Sequence, residues 1–153
     1  MTLIFSNHKF QYEVERLFRS FFPPVQIKLS TEMADADGEY CLTARTENGG
    51  GYTLLVELVC GGKRYSLSRS VPADMPEKEQ ELYNALREFT GRDLPWGILT
   101  GVRPVKVLSK MTDAQALQGY LVSSRKLALA RRIEKIQKPL EESIPANSFS
   151  LYI

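Results

Sequence analysis

Apolar residues recur along the first half of the chain with two different periods. Phe10, Val14, Leu17, Phe18 and Phe21 fall at i, i+4, i+7, i+8 and i+11, which is one face of an α-helix. Asn7 offers an N-cap oxygen before that stripe, and Pro23 and Pro24 cannot continue it. Elsewhere the period is two. Residues 2–5 form a short β-prone run. In 25–31, Val25, Ile27 and Leu29 alternate with Gln26, Lys28 and Ser30, and in 39–46 Tyr40, Leu42 and Ala44 do the same. In 63–71, Tyr65, Leu67 and Val71 oppose Arg64, Ser66, Ser68 and Ser70. Residues 52–60 are apolar on both faces apart from Glu57, which predicts a central strand. The joints DADG (35–38), ENGGG (47–51) and CGGK (60–63) supply Gly or Asn where a hairpin needs positive φ. Short joints make antiparallel neighbours, so these four runs predict a meander whose apolar face the first helix covers.

The helical period returns after residue 73. Asp74 and Glu77 flank Pro76 like a capping box, Leu82, Leu86 and Phe89 share a stripe, and Gly91 stands just past its end. Val102, Val105 and Leu108 predict a short helix with Pro104 in its first turn, and Thr112 with Gln115 forms another cap. The longest helix is expected from Ser123 or Ser124 to about Lys138, stopped by Pro139. Its apolar face is Leu129, Ile133, Ile136 and Leu140, with Arg131, Lys135 and Lys138 roughly opposite. Finally, Phe149, Leu151 and Ile153 alternate with Ser148, Ser150 and Tyr152. The expected class is α+β: an antiparallel meander of four to five strands on a first helix, then a helical C-terminal half and a terminal strand. Residues 1–138 form the domain, 139–147 a polar connector, and 148–153 the strand.

Composition narrows the class. At 153 residues, 43% hydrophobic and 25% charged, the chain can bury one core and is not of the disordered type. No apolar run approaches the ~18–20 residues that span a bilayer. The start, MTLIFSN, lacks the basic region of a signal peptide, so the expected setting is cytoplasmic, without membrane partners. Charge is uneven: residues 1–90 carry ten Lys/Arg and thirteen Asp/Glu, whereas 91–138 carry ten Lys/Arg and three acidic residues. A basic block of this kind speaks to partners rather than to fold.

Residues suited to catalysis are few. Cys41 and Cys60 lie in expected strands, where buried inert thiols are the rule, and His8 stands alone at a helix start. Glu77, Glu79 and Glu81 suit the helix macrodipole and solvation. No catalytic or metal-ligating set is assigned. The basic residues Arg125, Lys126, Arg131, Arg132, Lys135 and Lys138 could meet nucleic-acid phosphates, but no aromatic interleaving or glycine clamp accompanies them. A solvated face, or one docked on an acidic neighbour, is the preferred reading over nucleic acid. One stretch stands apart: LPWGILTGVRPVK, 94–106, with the chain's single Trp, two Gly and two Pro. Structurally, Pro95 and Gly97 shape a turn and Trp96 fills a core edge, mostly buried. Functionally, Trp96, Thr100, Gly101, Arg103 and Lys106 gather around a helix start and form a candidate interface or anion-binding site. The structural reading is preferred.

The 94–106 segment, followed by SLYI at 150–153, resembles the N-terminal region of HemZ-type oxygen-independent coproporphyrinogen-III oxidases (coproporphyrinogen dehydrogenases). In that family, such a strand runs on into a C-x-x-x-C-x-x-C motif that ligates a four-iron–four-sulfur cluster and binds S-adenosylmethionine. The resemblance implies that 148–153 opens a radical S-adenosylmethionine barrel that the chain lacks. It implies a parent activity of oxidative decarboxylation of coproporphyrinogen III to protoporphyrinogen IX in haem synthesis. The partners it implies are that barrel domain and, for the parent, the porphyrinogen substrate. No cofactor site is expected in this chain by itself. The alternative is a free-standing α+β binding module whose basic helix contacts RNA or an acidic protein.

Overall fold

The computed structural model describes residues 1–7, 11–36, 38–72, 79–100 and 103–143, without the side chains of 141 and 142. Five strands, β1 (Thr2–Ser6), β2 (Lys28–Ser30), β3 (Tyr40–Asn48), β4 (Gly51–Cys60) and β5 (Lys63–Pro72), form one mixed sheet in the order β2-β1-β3-β4-β5. Among the described residues, four α-helices accompany it: α1 (Gln11–Phe21), α2 (Gln80–Thr90), α3 (Pro104–Leu108) and α4 (Ser124–Glu142). The α+β class follows directly from this architecture.

Three of the four expected meander runs are present. β3 and β4 pair antiparallel from Tyr40↔Val59 to Asn48↔Gly51, and β4 and β5 from Gly51↔Pro72 to Cys60↔Lys63. The 25–31 run departs from expectation. Its strand is only β2, and it pairs parallel with β1, Thr2↔Lys28 to Ile4↔Ser30. β1 also pairs parallel with β3, Thr2↔Tyr40 to Ser6↔Ala44. The physical reason lies at the joint: residues 31–39 hold a 3-10 turn, Met33–Asp35, rather than a two-residue hairpin. That longer connection crosses to the far side of β1. β1, buried from Thr2 to Phe5, has both its backbone edges satisfied in this way. β4 is consequently an inner strand but not the middle one, a place taken by β3.

α1 and α2 cover one sheet face. Val14, Leu17, Phe18 and Phe21 of α1 meet Leu82, Tyr83, Ala85 and Leu86 of α2 over Leu54, Val56 and Leu58 of β4 and Cys41 of β3. Phe21 and Tyr83 meet edge to face at 5.3 Å. Glu57, the polar interruption of β4, points to the opposite face. There it accepts hydrogen bonds from Tyr40 Oη (2.9 Å) and Arg64 Nε (3.1 Å). Glu81, read as a solvated residue, is instead buried and bonded to Arg69 at 2.6 Å. α2 ends as expected, with Gly91 at φ +65° and its N–H bonded to the Arg87 carbonyl.

A second, smaller core sits beside the first: Leu108, Ala116, Val122, Leu127 and Ala130, with Trp96, Leu99, Val105, Met111 and Tyr120 packed on it. Thr112 and Gln115 make the reciprocal capping box, Gln115 N–H to Thr112 Oγ1 (3.2 Å) and Thr112 N–H to Gln115 Oε1 (2.9 Å). Two expectations for α4 are overturned. The helix passes through Pro139 to Glu142. Proline's fixed φ is helical, and so near the end only one backbone bond is lost, while Ser143 N–H closes the last turn onto the Pro139 carbonyl. The inward face is also different: Leu127 and Ala130 are buried, whereas Leu129, Ile136 and Leu140 are 41%, 60% and 62% exposed. Arg131, placed opposite the apolar stripe from the wheel, turns inward instead. The expected roles of His8, Phe10, Asp74, Glu77, Gly101 and Val102, and the strand expected over 148–153, lie outside the described residues.

Candidate functional site

The 94–100 turn joins the two cores. Leu94 and Ile98 pack on the first, Trp96 and Leu99 on the second, so successive side chains reach to alternate sides. The turn is held at every step. Leu94 N–H donates to Tyr83 Oη (3.0 Å), Gly97 N–H to the Leu94 carbonyl (2.9 Å), and Ile98 N–H to the Tyr120 carbonyl (3.0 Å). Ser123 donates both its N–H (3.1 Å) and its hydroxyl (2.9 Å) to the Pro95 carbonyl while standing at the head of α4. Gly97 is required here. Its φ is +57°, and an added Cβ would lie 2.0 Å from the Tyr120 carbonyl oxygen.

Downstream of this turn, α3 lies against α4, and between them opens a cleft of about 920 Å³. Its walls are Arg103, Lys106 and Lys110 on one side and Glu134, Gln137 and Lys138 on the other, with Pro104 and Val105 supplying apolar surface. Four cations face one carboxylate. That carboxylate is already engaged, because Arg131 Nη1 donates to Glu134 Oε2 at 2.9 Å. The positive potential belongs to the side chains, since a helix of five residues has little macrodipole to add.

Arg131 is the keystone of this arrangement; it lies opposite the Leu129–Leu140 stripe as expected, but that opposite face is the inward one. Its guanidinium donates to the carbonyls of Leu108 (2.8 Å) and Met111 (2.7 Å), satisfying acceptors left at the end of α3. It also pairs with Asp113 at 2.8 Å. Glu134 and then Asp113 hold the guanidinium charged, raising it above its ordinary value. The signal available in the sequence was Ala130 beside it: a small residue lets α3 approach closely enough for the arginine to reach.

Of the five residues singled out from the sequence, Arg103 and Lys106 line the cleft. Trp96 and Thr100 do not; Trp96 is mostly buried against the second core, as expected, with the Lys126 ammonium 5.1 Å from its ring centre. Gly101 lies outside the described residues. Lys110 and Lys138 are the cleft cations that the reading of this motif missed, because they come from other segments.

The chain's two cysteines cannot by themselves supply the three thiolates of the C-x-x-x-C-x-x-C cluster that the resemblance implies for the parent. Cys41 is fully buried, and burial pushes its thiol far up; Cys60 is raised as well, by burial first and then by Glu39. Among the described residues no three His, Cys, Asp or Glu side chains group as a metal site, and no helix is long and apolar enough to cross a membrane. Comparison with protein-family models, curated proteins and solved structures returns no match for this chain.

Proposed function

We propose that this chain is the accessory N-terminal domain of a HemZ-like oxygen-independent coproporphyrinogen III oxidase, non-catalytic by itself. The catalytic chemistry, a radical S-adenosylmethionine oxidative decarboxylation in haem synthesis, belongs to a barrel domain with its own cluster-binding cysteines. The observation that supports this reading is the role of the resembling segment. Residues 94–100 tie the two cores together, and the chain then delivers Arg103 and Lys106 to a cationic cleft suited to an acidic neighbour or a carboxylate-bearing ligand. The role assigned to the domain is to dock on the barrel and orient it.

The test is anaerobic reconstitution with iron and sulfide. The chain ending at Ile153 is expected to stay colourless. A version extended through the following reading frame is expected to turn brown and hold about four irons. A colourless extended protein would overturn the assignment. It would favour the second reading, a free-standing α+β binding module, which the exposed cations of α4 support.

A further inference from the structure

The outer face of α4 repeats the spacing of a coiled-coil seam. Leu129, Ile133, Ile136 and Leu140 step by four, three and four residues, and at about 100° per residue they fall within about 60° of one another. Three of the four are among the most exposed large apolar residues described in the protein, at 41%, 60% and 62%. A helix needs its apolar stripe only where something covers it, and α4 is anchored by other residues: Leu127, Ala130 and Arg131. The seam is therefore surplus to folding.

Charge decides what fits there. Arg125 and Arg132 border the stripe on one side, with Lys135 beyond them; all three are exposed, and none makes an ion pair among the described residues. On the other border, Lys126 lies toward Trp96 and Gln137 is neutral. We infer that this face receives an amphipathic helix of a partner protein, with a matching apolar seam flanked by Asp and Glu. The narrow a/d stripe suits a helix better than a flat surface, and it carries no aromatic residue of the kind that anchors helices at a lipid interface. Two copies joined antiparallel would set the Arg125/Arg132 flank against itself, a like-charge contact that opposes self-association. The inference holds under either functional reading above.

The experiment uses the whole 153-residue chain and two labelled peptides of about three heptads, with Leu at a and d and either Glu or Lys at e and g. Fluorescence anisotropy is expected to show the Glu peptide binding at least about tenfold tighter than the Lys peptide at low salt. Ile136→Ser with Leu140→Ser should weaken it at least about tenfold while leaving the circular dichroism spectrum unchanged, because both side chains are exposed. Arg125→Glu with Arg132→Glu should reverse the preference between peptides. Failure of both peptides to bind, or equal binding of the two, would overturn the proposal. So would a sedimenting dimer lost in the Ile136→Ser, Leu140→Ser variant, which assigns the seam to a second copy. Binding to phosphatidylglycerol vesicles with no binding to the Glu peptide would assign it to a membrane surface.

Discussion

Replacing Gly97 by Ala tests whether the two cores are joined as described. The residue sits at φ +57°, where an L side chain costs about 1–2 kcal/mol. Its Cβ would lie 2.0 Å from the Tyr120 oxygen, and 2.5 and 2.6 Å from the Leu121 carbonyl carbon and oxygen. These are backbone atoms with no rotamer to escape into, so the turn itself has to move. Movement breaks the Ile98–Tyr120 hydrogen bond, a net ~0.5–1.5 kcal/mol, and loosens Trp96 and Leu99 against the second core. The expected total is about 3–5 kcal/mol, a large share of the ~5–15 kcal/mol that holds a domain together. Gly91 provides the control. Its φ is +65°, nearly the same, but nothing lies within 4 Å of an added Cβ. Gly91→Ala should therefore cost only the conformational part, about 1–2 kcal/mol. Urea denaturation followed by circular dichroism and by Trp96 fluorescence measures both. If Gly97→Ala proves no worse than Gly91→Ala, the turn does not abut residues 120–121 and the joint is built differently.

Arg131→Met keeps the stem but removes the guanidinium from the Leu108 and Met111 carbonyls, and should destabilise by about 2–3 kcal/mol in the same assay; a loss below ~0.5 kcal/mol would mean that α3 and α4 hold together without it. Burial, and then the hydrogen bond to Glu88, pushes the Tyr65 hydroxyl up to about 12. Because the folded value exceeds the unfolded one, its contribution to stability is fully present below about pH 10 and is lost as pH rises through about 12. Removing Tyr65 with Phe should flatten that alkaline fall, and an unchanged profile would refute the assignment. For the thiols, Cys60 should react with a disulfide reagent before Cys41, which should react only on unfolding; rapid native labelling of Cys41 would contradict its burial.

Much of the fold was legible because the signals were local. The stripe of α1, the β3-β4-β5 hairpins, the Gly91 cap and the Thr112–Gln115 box each rest on residues a few positions apart. What sequence could not give was pairing across distance. Alternation in 25–31 identifies a strand but not its neighbour, and β2 chose β1 through a connection whose length alone was visible. α4 misled for a related reason. Its strongest apolar periodicity marks the exposed seam, while the buried face is set by Ala130 and by an arginine that finds carbonyl partners on another helix. The cleft was half legible: Arg103 and Lys106 stand in a conspicuous motif, but Lys110 and Lys138 join them only after α3 and α4 pack.

The most direct test of the proposed function is to read the gene's frame onward from the Ile153 codon. The accessory-domain account predicts that codons for a C-x-x-x-C-x-x-C motif follow shortly after, since in the resembling family the segment corresponding to 148–153 leads into the cluster ligands. A stop codon at that point would contradict it.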